Sequence, residues 1–247
     1  MEPVTRAPCQ VVISQSMYFP WVGVLEQIRL ADIYVHYDDV QYARGFYNRV
    51  QVKTAHGVKW ISVPLLDQRR GQKIDEVLVD DRLPWKNQHR ELLRQAYFKA
   101  PFRDEMLALV DEVFAMPLHT LGDVSRESTL ALARYFDLIS GRRFLHSSAM
   151  GVEGASSERL LGLTQAVGGT VYITGHGARN YLDHEIFEKA AIDVRYMRYA
   201  MTPYEQLHGE FTPFVTGLDL VAHMGAAGRE KICSAAIGWK EFINATS

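Results

Sequence analysis

The 247-residue chain is 47% hydrophobic and 11% aromatic, and its 27 basic and 29 acidic side chains leave a formal charge of −2. This composition excludes an intrinsically disordered chain, because disorder requires less apolar content and a larger charge imbalance. The near-neutral charge provides no field to attract nucleic acid or an anionic membrane, and no apolar run approaches the ~20 residues that a membrane span needs.

The two cysteines and the N-terminal segment exclude further classes. Cys9 and Cys233 lie near opposite ends of the chain and outside any Cys/His cluster, which disfavours a disulfide framework or a structural zinc site. The first residues lack the basic and apolar regions of a secretion signal. We therefore expect a cytoplasmic protein with a small-molecule substrate, no metal, no nucleic-acid partner and no membrane span; the oligomeric state is not predicted.

The first part of the chain predicts a βαβ unit. An apolar β-branched run at residues 10–13 predicts a buried strand, apolar positions recur at helical spacing from Val22, and a second β-branched run covers residues 33–37. Such a unit implies two parallel strands joined by a right-handed crossover. Ligands of open parallel sheets bind beyond the carboxyl ends of the strands, so we expect chemistry at residues 15–21 and 38–49.

The rest of the chain predicts a β-hairpin at residues 50–64, a strand at 74–79 and an alternation of helices and strands after them. The helices are predicted at 85–97, 102–114, 121–136, 156–167 and 218–224, and the extended segments at 143–146, 170–174 and 193–196. We expect one α/β domain over residues 1–247, with a mainly parallel, Rossmann-like sheet and a helical insertion at about residues 82–140.

The densest polar group of the sequence follows the second predicted strand and contains Asp38 and Asp39. Successive side chains of an extended chain point to opposite sides, so one carboxylate is expected to face the site. The other would anchor the loop, through backbone N–H groups or by pairing with Arg44 or Arg49. A solvated loop with weak surface ion pairs is the alternative interpretation.

A second candidate site is the loop that follows the predicted strand at residues 170–174. Gly175 and Gly177 allow backbone N–H groups to bind an anion there, with Arg179 as the counter-charge. His176 is a candidate base because histidine titrates near neutral pH. A simple strand-to-loop turn is the alternative. Lys99, at the end of a predicted helix, either stabilises the helix dipole or binds a phosphate or carboxylate.

Several segments of the chain resemble the WbqC-like protein family. Residues 15–23 are similar to the family element QPxxFPxxG, and residues 38–49 are similar to its DDVxY motif, which a basic residue and an NRN element follow. The similarity continues in the same order at residues 60–64, 97–101, 168–182 and 211–220. The chain departs from the pattern at Ser16 and Val50, it lacks one residue between Arg44 and Asn48, and His176 stands where the family often has another residue.

The resemblance implies a role in the biosynthesis of O-antigens, other surface polysaccharides or secondary metabolites. From that setting we expect a transferase that moves an acyl or aminoacyl group onto the amine of a sugar or nucleotide-sugar. Its donor would be an activated acyl group such as a thioester, either free or on an acyl carrier protein, and no cofactor is required by the sequence. The alternatives are an amide-forming ligase that uses ATP and magnesium, and a non-catalytic binding protein of polysaccharide assembly.

In this interpretation the base is Asp38 or Asp39, with His176 as the second choice. The residues expected to hold a diphosphate or carboxylate are Arg44, Arg49, Lys99 and Arg179. The rings expected to stack on a base or sugar are Tyr18, Phe19, Trp21 and Tyr42. The other predicted substrate-binding residues belong to the loops after the strands: Gln15, Asn48, Gly175, Gly177 and Asn180.

Overall fold

The computed structural model describes residues 7–245. Its strands, in chain order, are β1 (Gln10–Ser14), β2 (Ile33–His36), β3 (Arg49–Thr54), β4 (Gly57–Ser62), β5 (Arg143–His146), β6 (Val171–Thr174), β7 (Asp193–Arg198) and β8 (Ala235–Gly238). Its helices are α1 (Val22–Leu30), α2 (Trp85–Ala96), α3 (Arg103–Phe114), α4 (Leu121–Tyr135), α5 (Ser156–Ala166), α6 (His184–Lys189), α7 (Gly217–Met224) and α8 (Trp239–Ala245).

The main sheet has the strand order β5-β2-β1-β6-β7-β8, and β3 and β4 form a separate antiparallel hairpin. Strands β5 to β7 in this order are parallel, and only β8 pairs antiparallel with its neighbour. The predicted α/β class with a mainly parallel sheet is therefore confirmed. Helices α2, α3 and α4 follow one another within the stretch where the helical insertion was predicted.

Helices cover both faces of the sheet, because alternate residues of each central strand point to opposite sides. On β1, Val12 packs in a core with residues of α1 to α4 and α7. Its neighbours Val11 and Ile13 pack in a second core with residues of α5, α6 and α8. Within residues 7–245, no helix combines the length and the apolar character that crossing a membrane requires.

One predicted strand is wrong. Residues 74–79 contain a 3₁₀ helix, Ile74–Glu76, and only isolated bridges join Leu78 to Thr120 and Val79 to Leu65. Ile74 and Val77 are nevertheless fully buried, in a small cluster with Leu121. The apolar residues Ile74 and Val77 are thus buried, as residues of a strand would be, but only isolated bridges form beside this segment and it is not a strand. The sequence interpretation also missed the short elements α6, β8 and α8.

The order of the strands creates a switch point between β1 and β6. The chain leaves β1 through α1 to reach β2 on one side, whereas β6 lies on the other side of β1. Helices α5 and α6, which precede and follow β6, lie on the sheet face opposite to α1. The loops after β1 and β6 therefore diverge, and such divergence opens a crevice at the carboxyl ends of the strands.

Candidate functional site

A cleft of about 700 Å³ opens at this switch point. Ser14 and Gln15 line it at the end of β1, and Thr174 and Gly175 line it at the end of β6. Its aromatic lining residues are Trp21, Tyr37, Phe46, Tyr47, Tyr172, Tyr181, Tyr199 and Phe214. None of the described residues that line it is Asp, Glu, Lys or Arg. The cleft is therefore an aromatic, hydrogen-bonding site without fixed charge.

Trp21 forms one wall of the cleft within a row of rings. Its ring centroid lies 4.9 Å from that of Tyr199 and 5.6 Å from that of Phe214, and Tyr199 lies 5.1 Å from His176. The Trp21 ring folds back over Gly23, where any Cβ atom would overlap it. The absence of a side chain at Gly23 thus allows the Trp21 ring to reach the cleft.

Gly23→Ala is expected to displace the Trp21 ring. The free energy of unfolding should change by less than about 1 kcal/mol, because the higher helix propensity of alanine in α1, worth about 1 kcal/mol, offsets the cost of moving the ring. The near-ultraviolet circular dichroism of tryptophan would change as the ring leaves its aromatic neighbours. Gly238→Ala is the control, since a Cβ there meets no atom within 4 Å. An unchanged spectrum for Gly23→Ala would contradict this packing.

Two glutamines orient hydrogen-bonding groups in the cleft. The Tyr47 hydroxyl donates to Gln15 Oε1 at 2.8 Å, which leaves the Gln15 amide N–H groups for a ligand. Gln27 Nε2 donates to the Tyr199 hydroxyl oxygen at 2.7 Å, which leaves Gln27 Oε1 as an acceptor and the Tyr199 O–H as a donor. A Cβ at Gly175 would lie 3.1 Å from the Tyr199 hydroxyl, so glycine gives these groups room.

His176 lies in the cleft at the start of the 3₁₀ helix His176–Asn180. Its Nε2 donates to the backbone carbonyl of Met197 at 2.7 Å. Because a carbonyl only accepts, this bond fixes the proton on Nε2, and Nδ1 carries the lone pair of the neutral ring. With Nε2 held by Met197, Nδ1 is the nitrogen that the ring offers as a base.

Asp38 is buried beneath the loop after β1. Its carboxylate accepts from the Ser16 backbone N–H at 2.8 Å and from the Ser16 hydroxyl at 2.7 Å, and Arg126 of α4 lies 3.5 Å away. Burial raises the pKa of Asp38 and outweighs these hydrogen bonds. The carboxylate holds the Gln15–Ser16 backbone in place and does not line the cleft.

His36 extends this buried group. Its Nδ1 lies 2.8 Å from the Ser16 hydroxyl oxygen, which accepts from it because the hydroxyl proton is donated to Asp38. Burial, together with the positive charge of Arg126 and the neighbouring His146, lowers the pKa of His36 to about 3. His36 is thus a neutral structural histidine, and its Nε2 is buried without a hydrogen-bond partner.

Asp39 points the other way and pairs with Arg159 of α5, with the Ser147 hydroxyl as a second donor. Only 8% of the Asp39 side chain and 11% of the Arg159 side chain are exposed. The opposite orientations of the two carboxylates agree with the alternation predicted for an extended chain. Their cationic partners are Arg126 and Arg159 rather than the nearby Arg44 or Arg49, and the described residues contain no grouping of three metal-ligating side chains.

The predicted aromatic and amide residues are divided between the cleft and the core. Tyr18 and Phe19 are fully buried, and the Tyr18 hydroxyl lies 3.0 Å from His89 Nδ1. Tyr42 donates to Asn48 Oδ1 at 3.3 Å, and Asn48 donates to the Val63 carbonyl, so both hold the loop after β2. Of the predicted ring-stacking residues, Trp21 lines the cleft itself.

The predicted basic residues do not meet in the cleft. Arg44 and Arg179 are exposed on the loops after β2 and β6, and Lys99 is exposed beyond α2 with its Nζ 5.3 Å from the Phe98 ring. Arg49 lines an adjoining recess. Gly175 and Gly177 line the cleft, whereas Asn180 is exposed. The loop forms a 3₁₀ helix, and anion binding there stays a prediction.

The sequence interpretation missed several lining residues, including Gln27, Tyr47, Tyr199 and Phe214. Phe214 lies on an irregular segment that long-range bonds hold in place. Thr216 donates from its backbone N–H to Gln51 at 2.9 Å and from its hydroxyl to Phe19 at 2.8 Å. Local sequence carries no signal for such contacts.

The fold and the cleft define the class of protein: an α/β protein with helices on both sheet faces and an uncharged aromatic cleft at its switch point. The chain belongs to the WbqC-like protein family, whose model matches residues 15–231. It is also 34% identical over 221 residues to the uncharacterized protein Rv1507c of Mycobacterium tuberculosis (strain ATCC 25618 / H37Rv), an alignment that covers 88% of this chain and 94% of that relative. No solved structure matches the chain.

Proposed function

We propose that this protein is a transferase that moves an activated acyl or aminoacyl group onto the amine of a sugar or nucleotide-sugar, in the cytoplasmic steps of surface-polysaccharide or secondary-metabolite biosynthesis. One observation carries the proposal. The switch-point cleft combines aromatic walls and amide groups with a histidine whose hydrogen bond to Met197 leaves Nδ1 as a base.

The lining of the cleft suits a sugar acceptor. A sugar ring has apolar faces of C–H groups, which pack on rings such as Trp21 and Tyr199, and a rim of hydroxyls that need donors and acceptors. Gln15 supplies N–H donors and Gln27 supplies a carbonyl acceptor. The absence of lining carboxylates and cations in the described cleft favours a neutral ring over a phosphate group at this point.

The transfer itself requires proton removal and orientation. The neutral amine attacks the acyl carbonyl carbon, the new C–N bond forms, and the bond from that carbon to the leaving group breaks. His176 Nδ1 takes the proton that the attacking nitrogen loses and returns it to the leaving group, such as the thiolate of a thioester. The Gln15 amide N–H and the Tyr199 O–H are the donors that the cleft offers to the developing oxyanion.

The two aspartates would then act on the structure rather than on the substrate. Asp38 fixes the backbone beside Gln15, and Asp39 joins the loop after β2 to α5. This assignment makes His176 the first candidate base, ahead of the carboxylates that the sequence favoured. Precise placement of both substrates by these loops would contribute most of the rate acceleration.

The first test is a thermal-shift screen with nucleotide-sugars, coenzyme A thioesters, acyl carrier thioesters, and ATP with magnesium. A ligand of the cleft, at ~100 times its dissociation constant, is expected to add ~2.7 kcal/mol to the free energy of unfolding. Amide formation between a binding nucleotide-amino-sugar and a binding thioester, followed by mass spectrometry, then tests the transfer.

Trp21→Ala and Phe98→Ala form a matched pair for this screen, because Trp21 lines the cleft and Phe98 is exposed beyond α2. The nucleotide-sugar shift should disappear in Trp21→Ala and remain in Phe98→Ala. Stabilisation by ATP with magnesium alone would instead support the ligase. Binding of a sugar without turnover of any donor would support the non-catalytic binding protein.

A further inference from the structure

An apolar recess of about 230 Å³ adjoins the cleft, and the two share Met17, Trp21, Phe46 and Phe214 as lining residues. Its volume equals that of roughly eight liquid water molecules at ~30 Å³ each, which is room for one six-membered ring with a short linker. Because the walls are shared, a ligand in the recess is continuous with one in the cleft.

The outer face of the β3–β4 hairpin forms the far side of the recess. Arg49 and Gln51 stand two residues apart on β3 and therefore share a face, and Trp60 of β4 pairs with Gln51. This arrangement makes Trp60 the diagonal neighbour of Arg49, and the guanidinium carbon lies 4.7 Å from the Trp60 ring centroid. Phe46 completes the face, with its ring centroid 5.7 Å from that of Trp60.

Arg49 is electrostatically unpaired. Of the described residues that line the cleft and the recess, it alone carries a fixed charge. Its Nε is buried and makes no hydrogen bond, and no carboxylate of residues 7–245 forms an ion pair with it. A buried donor on a cation costs free energy unless a partner is supplied, and a bound anion would supply it.

The rings around the recess also remain open to a ligand. Phe46, Trp60 and Phe214 are 60%, 41% and 54% exposed, although each contacts another ring of the same site. A concavity lined by exposed aromatic side chains is typical of a ligand-binding site.

We propose that the recess is the donor subsite, and that it takes an apolar or aromatic segment bearing one anionic group, carboxylate or phosphate, which binds Arg49. The anion would pair with the guanidinium, the apolar segment would pack among Trp21, Phe46, Trp60 and Phe214, and the remainder of the donor would enter the cleft beside His176. The donor role rests on the transferase proposed above, whereas the chemistry of the recess does not.

Three small probes that share a benzyl group test the subsite: phenylacetate, benzyl phosphate and uncharged phenylacetamide. Isothermal titration calorimetry of the full chain should show at least one of the anions binding 10-fold or more tightly than phenylacetamide. Arg49→Gln should remove that preference and leave phenylacetamide binding within threefold of wild type. Lys59→Gln, which removes the same charge from an exposed residue next to Trp60 on the opposite face of the hairpin, should change nothing.

Trp60→Ala should weaken all three probes, because it removes the ring on which Arg49 and the ligand both pack. Preference for phenylacetate assigns the anion to a carboxylate of the donor, and preference for benzyl phosphate assigns it to a phosphate. Equal affinity for the three probes in the wild type, or an anion preference that survives Arg49→Gln, would overturn the subsite. Probe binding without any amide transfer in the preceding screen would refute the transferase and leave the recess intact.

Discussion

His176→Gln is expected to lower kcat/KM for amide transfer by about 10²–10⁴-fold, the range that a positioned general base contributes. The glutamine amide can still donate to the Met197 carbonyl, as His176 Nε2 does at 2.7 Å, so the loop should keep its conformation. The variant lacks only the basic nitrogen. Steady-state kinetics with the donor and acceptor found in the binding screen measure the loss.

His184→Gln is the control for this variant. His184 also donates or accepts through Nε2, to the Tyr196 hydroxyl at 2.8 Å, but it stacks on Trp239 and does not line the cleft. Its kcat/KM should equal that of the wild type. If His176→Gln keeps full activity while Asp38→Asn or Asp39→Asn loses it in a folded protein, the base is a carboxylate, as the sequence alone suggested.

Asp39→Asn is expected to destabilise the fold by about 3 kcal/mol, because it leaves the largely buried Arg159 guanidinium without its charged partner. Asp38→Asn should cost under about 1.5 kcal/mol, since an amide can accept from the Ser16 N–H and donate to the Ser16 hydroxyl, which then donates to His36 Nδ1 once the neutral His36 ring carries its proton on Nε2. Urea unfolding at pH 7 compares the two neighbouring substitutions. Equal losses would contradict the different environments of these carboxylates.

The pH dependence of these losses should have opposite signs. Burial alone would raise the pKa of Asp39, but hydrogen bonds from Arg159 and Ser147 outweigh it and hold the pKa below its usual range. Asp39 therefore stabilises the fold fully above the ordinary carboxyl pKa of ~3.9, and this stability is lost as the pH falls through the lower folded value. The difference between the wild type and Asp39→Asn should shrink as the pH decreases below about 4.

Asp38 should behave in the reverse manner. Because burial raises its folded pKa, its contribution to stability is complete below the ordinary carboxyl pKa of ~3.9 and is lost as the pH rises through the folded value. Asp38→Asn should therefore gain relative to the wild type between about pH 4 and pH 7. Urea midpoints from pH 3.5 to pH 7 test both slopes, and a flat difference for Asp38→Asn would exclude a raised pKa.

Local patterns predicted most of the elements, because the spacing of apolar residues along a segment differs between a helix and a strand. The βαβ start, the β3–β4 hairpin and helices α2 to α5 lie where the spacing of apolar residues indicated. Residues 74–79 show the limit of such patterns. Ile74, Val77 and Val79 are buried, but only the surrounding structure decides whether a strand is present to pair with them.

The candidate site was only partly predictable for the same physical reason. Alternation along an extended chain separates Asp38 from Asp39, and this followed from the sequence. Their partners, Arg126 and Arg159, lie 88 and 120 residues further along the chain and come from different helices. No local pattern reports which of the chain's arginines will reach a given carboxylate.

The sequence by itself determined the α/β class and the family, and it predicted the loops after β1, β2 and β6 as the places for chemistry, since these depend on short-range periodicity and on motifs contiguous in the chain. The tertiary structure decided that β6 lies beside β1, and so decided that Gln15 and His176 share one cleft. It also placed Trp21, Tyr199 and Phe214 together and left Arg49 unpaired in the recess. Strand order and long-range packing follow from the burial of the whole chain, which no single segment encodes.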